Sequence, residues 1–212
     1  MKSIYVFSGL GTDERVFQNI DFGDHITTFI RWIKPNDKER IESYAKRLTE
    51  QIHNDQPILV GLSFGGIMAT EVGKLIDTEK IIIIASAKIR KEIPFYYLLA
   101  GRLRLHKLLP ARFLVRPNAF NNWLFGTQTE QEKKLLSEIF KDTDISFLKW
   151  AIDKIVTWKN EVEHKNINHI HGTADRILPY RFVTCDLTVE HGGHFMTVNK
   201  ANEITEKIRN LL

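Results

Sequence analysis

Short apolar runs alternate along the chain with longer stretches in which apolar positions recur every three or four residues. Ser3–Ser8, Ile26–Arg31, Pro57–Leu62, Lys80–Ala85, Ile167–His171 and Thr184–Glu190 read as strands. Asp13–Ile20, Asp37–Asn54, Phe64–Asp77 and His194–Leu212 read as helices, with Thr12 or Asp13 and Asn36 or Asp37 placed to cap the first two. This alternation predicts an α/β fold: a mostly parallel sheet of about six strands with helices on both faces. The unbroken run Ile81-Ile82-Ile83-Ile84 fits a central strand buried on both sides.

The alternation stops between residues 88 and 165. That region reads as helices, including Tyr96–Leu109, Glu130–Phe140 and Ile145–Asn160, punctuated by Pro94, Pro110 and Pro117. It predicts an inserted helical cap, residues 88–165, within a core made of residues 1–87 and 166–212. Its many aromatic side chains, among them Tyr97, Phe113, Trp123, Phe147 and Trp150, either pack the cap onto the sheet or line an apolar pocket.

Composition narrows the classes open to such a chain. Its 212 residues, 43% of them apolar, suit one domain with a substantial core. The single cysteine, Cys185, excludes an internal disulfide and reads as a small hydrophobe on a strand. The first residues run directly into a strand pattern without a signal-peptide core, and no stretch has transmembrane length. The expectation is an intracellular, cytoplasmic protein that is not integral to a membrane.

The net charge of +4 is unevenly spread: from Lys88 to Asn118 eight basic residues face one acid, Glu92. A solvated basic helix explains this, as does a field that steers an anionic partner. No nucleic-acid module accompanies it. His169 and His171 alternate on a strand without a third metal ligand nearby, and Gly9-Leu10-Gly11 lacks the third glycine of a dinucleotide loop. No metal or cofactor is expected, and composition leaves the oligomeric state open.

The sharpest local signal is Gly61-Leu62-Ser63-Phe64-Gly65-Gly66, a G-x-S-x-G pattern at a strand-to-helix junction. A tight turn there exposes the Ser63 hydroxyl, and glycines two residues either side relieve the approach of strand and helix. Ser63 then precedes a helix whose first N–H groups, that of Phe64 foremost, have no intrahelical partner and can face an oxyanion. The alternative is a glycine-rich turn without chemistry.

A serine nucleophile needs a base and a group that orients the base. Asp175, in His171-Gly172-Thr173-Ala174-Asp175, is equally a turn aspartate bonding its own backbone and the orienting acid. His194, after Gly192-Gly193, is the best-placed base, with His191 as competitor. The loop Ser8-Gly9-Leu10-Gly11 offers a second oxyanion donor, the Leu10 N–H.

On these residues the chain resembles the α/β-hydrolase superfamily, in particular small bacterial serine hydrolases with a helical lid. The elbow at Ser63, the acid loop at Asp175 and the base loop Gly193-His194-Phe195 follow the superfamily's order of Ser, Asp, His. Ser8 stands where the superfamily often has a histidine that braces the oxyanion loop. The resemblance implies a trimmed fold without two leading antiparallel strands. It also implies hydrolysis of a small-molecule carboxylic ester or thioester through an acyl-enzyme. Acyl transfer, lyase chemistry or ligand binding with vestigial catalysis are the alternatives on the same fold.

Overall fold

A computed structural model describes residues 1–108 and 115–212. The end of the helix expected over Tyr96–Leu109, with Pro110, Arg112 and Phe113, lies outside the described residues. All six expected strands form: β1 (Ser3–Phe7), β2 (Ile26–Phe29), β3 (Ile58–Leu62), β4 (Lys80–Ile84), β5 (Ile167–Gly172) and β6 (Leu187–Val189). They make one parallel sheet in the order β2-β1-β3-β4-β5-β6. Cys185 falls just short of β6, half-buried, rather than on the strand.

The period of two along each strand builds two cores. Ile4, Val6, Ile58, Val60, Ile82 and Ile84 face one side; Tyr5, Phe7, Leu59, Ile81 and Ile83 face the other. The second side carries α1 (Ile41–Leu48) and α2 (Phe64–Gly73). Between β4 and β5 run α3 (Phe95–Arg102), α4 (Ala119–Phe125), α5 (Glu130–Asp142) and α6 (Ile145–Thr157); α7 (Met196–Asn199) and α8 (Ala201–Leu211) close the chain. Leu136 and Ile139 of α5 join α8 in the first core, while Phe147 and Ala151 of α6 join α1 and α2 in the second.

Several helices differ from the sequence pattern for local reasons. Asp13–Ile20 contains only a 3₁₀ turn, Glu14–Phe17, because its apolar pattern supplies a single turn of buried residues, Val16 and Phe17. Asp13 does cap it, accepting the Arg15 N–H. The helix expected from Asp37 begins at Ile41 and ends at Leu48, before a 3₁₀ turn over Thr49–Gln51. Ahead of it the Glu39 carboxylate is drawn back to the Asn36 N–H and the Arg47 guanidinium, so neither Asn36 nor Asp37 caps the helix. The last helix breaks at Lys200, where φ is −126°. Helix α4 has clear end signals, an Asn118 side-chain cap and Gly126 at φ 77°, but Phe120 and Trp123 point to solvent, so no inward apolar stripe announces it.

The sheet order places the functional loops. The chain leaves β1 for the β2 edge and returns to β3 on the opposite side of β1, a topological switch point. The loops after β1 and β3 therefore emerge side by side at the carboxyl ends of the strands, where open α/β sheets hold ligands.

Candidate active site

Ser63 links β3 to α2 at φ 53° and ψ −120°, a conformation that costs a non-glycine residue roughly 1–3 kcal/mol. Its backbone is held from several directions. The Ser63 N–H donates to the Ile84 carbonyl (2.8 Å), and the Ser63 carbonyl accepts from the Ser86 hydroxyl (2.6 Å) and the Gly66 N–H (2.9 Å). The flanking glycines answer different demands. A Cβ on Gly61 would lie 2.6 Å from Gly66 Cα, so this glycine does serve the approach of strand and helix. A Cβ on Gly65 would instead overlap the carbonyl oxygens of Phe7 and Ser8, because α2 starts directly against the end of β1.

The half-buried Ser63 hydroxyl sits 2.9 Å from His194 Nε2, and His194 Nδ1 sits 2.7 Å from Asp175 Oδ2. Residues 63, 175 and 194 thus come together from three loops at the ends of β3, β5 and β6. Asp175 makes the contacts of both readings: its Oδ1 accepts the Ile177 and Leu178 N–H groups, each at 2.9 Å, while Oδ2 faces the imidazole. Burial opposes its ionisation, but the His194 charge and hydrogen bond, His171 and the Leu178 N–H outweigh burial and hold the carboxyl below its ordinary range. An ionised Oδ2 can only accept, so a neutral His194 ring would carry its proton on Nδ1 and turn the Nε2 lone pair to Ser63. The loops are stitched together: the Ala174 N–H donates to Gly192 O (3.0 Å), and a Cβ on Gly172 would overlap that same carbonyl. His191 is exposed, with its N–H on Thr173 Oγ1, and does not reach Ser63.

Behind Asp175 lies a histidine pair. His169 Nε2 is 3.0 Å from His171 Nδ1, and His171 Nε2 is 2.8 Å from the Leu178 carbonyl. Both rings are fully buried. Burial, then the neighbouring His171, push His169 down to about 3 from 6.5. Between those values the unfolded chain binds a proton that the native state refuses, so stability rises with pH. The thermal midpoint is expected to hold above about pH 6.5 and to fall progressively as pH drops from there toward about 3. Calorimetry across that window checks it; a midpoint independent of pH would contradict a neutral buried pair.

The Phe64 and Leu10 N–H groups engage no acceptor among the described residues. The Leu10 loop runs beside the serine: a Cβ on Gly9 would stand 3.6 Å from Ser63 Cβ. The sequence pattern suggests that Ser8 leaves this loop without its side-chain brace, yet a brace exists. Ser8 Oγ accepts from Trp32 Nε1 (2.9 Å) and donates to the Thr12 carbonyl (3.0 Å), spanning the loop. Trp32 also packs on Phe64 and Phe147 with ring centroids 5.6 and 5.3 Å away, fixing the other donor residue. No local pattern couples position 8 to position 32.

No family model matches the sequence, and a search of curated proteins found no match. Solved structures do match. An enol-lactonase from Burkholderia xenovorans LB400 superposes with a TM-score of 0.71 at 15% identity, over 99% of this chain and 90% of its own. An esterase from Thermogutta terrifontis gives 0.69 at 12% identity, over 99% and 89%. A bromoperoxidase from Bacillus anthracis gives 0.69 at 12% identity, over 99% and 91%. The chain has the α/β-hydrolase fold. Its sheet is wholly parallel among the described residues.

Among the pockets of this α/β-hydrolase fold, three border the loops just described. The one at Ser63 and His194 is small, about 60 Å³, and is walled by Ile67, Ile93, Pro94, Tyr97, Ile155 and Leu178. Of the described aromatic residues within 88–165, Tyr97 reaches it. Phe147 and Trp150 pack into the sheet's second core, and Trp123 borders a separate pocket with Arg176 and His191. A third lies between the β1 loop and α6, lined by Gly11, Trp32, Thr143 and Phe147. The basic segment is partly internal: Lys88 is buried against Glu163 at 2.7 Å. Among the described residues no helix is long and apolar enough to cross a membrane.

Proposed function

We propose that this protein is a serine hydrolase that cleaves short-chain carboxylic esters or thioesters through an acyl-enzyme. One observation carries the reading: the unbroken hydrogen-bonded line from Ser63 Oγ through His194 to Asp175, with the unengaged Phe64 N–H and the Gly9-Leu10 loop at its Ser63 end. Ser63 Oγ attacks the carbonyl carbon while His194 Nε2 takes its proton. Asp175 stabilises the imidazolium, and the Phe64 and Leu10 N–H groups receive the oxyanion. The tetrahedral adduct collapses, and the leaving alkoxide or thiolate takes the proton from His194. Water then attacks the acyl-Ser63 ester with His194 again as base, releasing the carboxylic acid and restoring the serine. The neighbours named esterase and enol-lactonase support this class; the neighbour named bromoperoxidase shows that the fold alone does not choose the reaction.

Residues 88–165 act as the cap in this reading, with Pro94 and Tyr97 from the start of α3 and Ile155 from α6 closing the acyl cavity. Its small volume, about 60 Å³, favours short acyl chains over long ones. Hydrolysis of p-nitrophenyl acetate, butyrate and octanoate tests both points. kcat/KM is expected to be highest for acetate or butyrate and at least about tenfold lower for octanoate. A preference for octanoate would overturn the short-chain assignment, and failure of the folded protein to turn over any of the three would overturn the hydrolase.

A further inference from the structure

Helix α3 is apolar on two opposite sides, and only one is covered. Its inner side turns Tyr97, Leu98 and Gly101 toward the protein. Gly101 lies so close to α6 that a Cβ would come within 2.9 Å of the Val156 backbone, and the Tyr97 hydroxyl donates to the Ile177 carbonyl (3.0 Å). The outer side repeats Phe95, Leu99 and Leu103 at four-residue spacing, at 68%, 51% and 58% exposure, and Leu108 follows at 78%. An all-round apolar helix normally belongs in a core or a lipid phase, and clustered exposed apolar side chains mark a docking surface.

The exposed charges on α3 and on the segments just before and after it share one sign. Lys91, Arg102, Arg104 and Lys107 are exposed. Among the described residues no carboxylate pairs with Lys91, Arg102 or Arg104, and Lys107 has only a 3.6 Å contact to Asp153. The one acid between positions 88 and 108, Glu92, is buried, accepting the Lys88 and Thr184 N–H groups. We propose that α3 and the turn after it dock on an anionic lipid bilayer, with the helix lying in the interface plane. Phe95, Leu99, Leu103 and Leu108 enter the headgroup–acyl boundary while the arginines and lysines meet lipid phosphates. A second copy of this chain fits less well, because a two-fold interface on this face would bring the same basic patch from both copies together. The inner side of the same helix borders the Ser63 cavity, so docking brings that cavity to the lipid surface; only this consequence rests on the hydrolase reading.

Sedimentation with large unilamellar vesicles tests the proposal on the full chain. One set contains phosphatidylcholine alone, the other phosphatidylcholine with phosphatidylglycerol at three to one. Binding is expected to the anionic vesicles, weakening as salt rises. Arg102→Glu with Arg104→Glu should weaken it by at least about tenfold. Leu99→Gln with Leu103→Gln should weaken it comparably, with an unchanged urea midpoint as the sign of an intact fold. No binding to either vesicle, equal binding to both, or a concentration-dependent dimer that Leu99→Gln with Leu103→Gln dissolves would each overturn it.

Discussion

Alanine in place of Ser63 is expected to lower kcat/KM for a short-chain p-nitrophenyl ester by about 10⁴- to 10⁶-fold, leaving only what the oxyanion donors and binding supply. The size follows from the role: without Oγ there is no acyl-enzyme, and His194 has no hydroxyl to deprotonate. Stability should move little, because the side chain contributes one hydrogen bond at 2.9 Å, worth about 1 kcal/mol. Asp175→Asn should cost about 10⁴-fold by a different route, since an amide N–H facing His194 Nδ1 reverses the tautomer and points the wrong nitrogen at Ser63. Parallel urea unfolding separates lost chemistry from lost fold. A loss below tenfold for Ser63→Ala in folded protein would contradict its role.

The second large effect is on stability. Gly65→Ala is expected to destabilise the fold by roughly 3 kcal/mol or more, visible as a lower urea midpoint. The new methyl would stand 2.7 Å from the Phe7 carbonyl carbon. The atoms it meets are backbone at the end of β1, paired with Gly61 of β3, so neither side can give way cheaply. Any accommodation moves α2 away from β1, separating the Phe64 donor from the Leu10 loop. Activity should therefore fall in whatever fraction still folds. A midpoint near that of the wild type would mean that α2 does not start against β1 as described.

Most of the fold was legible because strand period and helix period differ so clearly. Ile81–Ile84 announced a central strand, and every expected strand formed. The three loops bearing Ser63, Asp175 and His194 were legible because parallel sheets put such loops at one end. What escaped is non-local. Gly65 reads as part of a strand-to-helix turn, yet its clearance is toward a strand more than fifty residues earlier. The Trp32–Ser8 brace joins side chains 24 residues apart across a crossover. Helix ends were misplaced where a side chain found a better partner than the cap, as Glu39 found Arg47. Aromatic content alone could not say which rings line the cavity: Phe147 and Trp150 pack into the core, while Tyr97 borders Ser63.

The central claim is that Ser63 is an activated nucleophile, and a fluorophosphonate probe tests it most directly because it needs no knowledge of the substrate. Peptide mass spectrometry of the folded protein after labelling should find one adduct per chain, on Ser63, absent from Ser63→Ala and formed far more slowly in His194→Ala. Absence of label on folded protein, or label on another residue that persists in Ser63→Ala, would contradict the account.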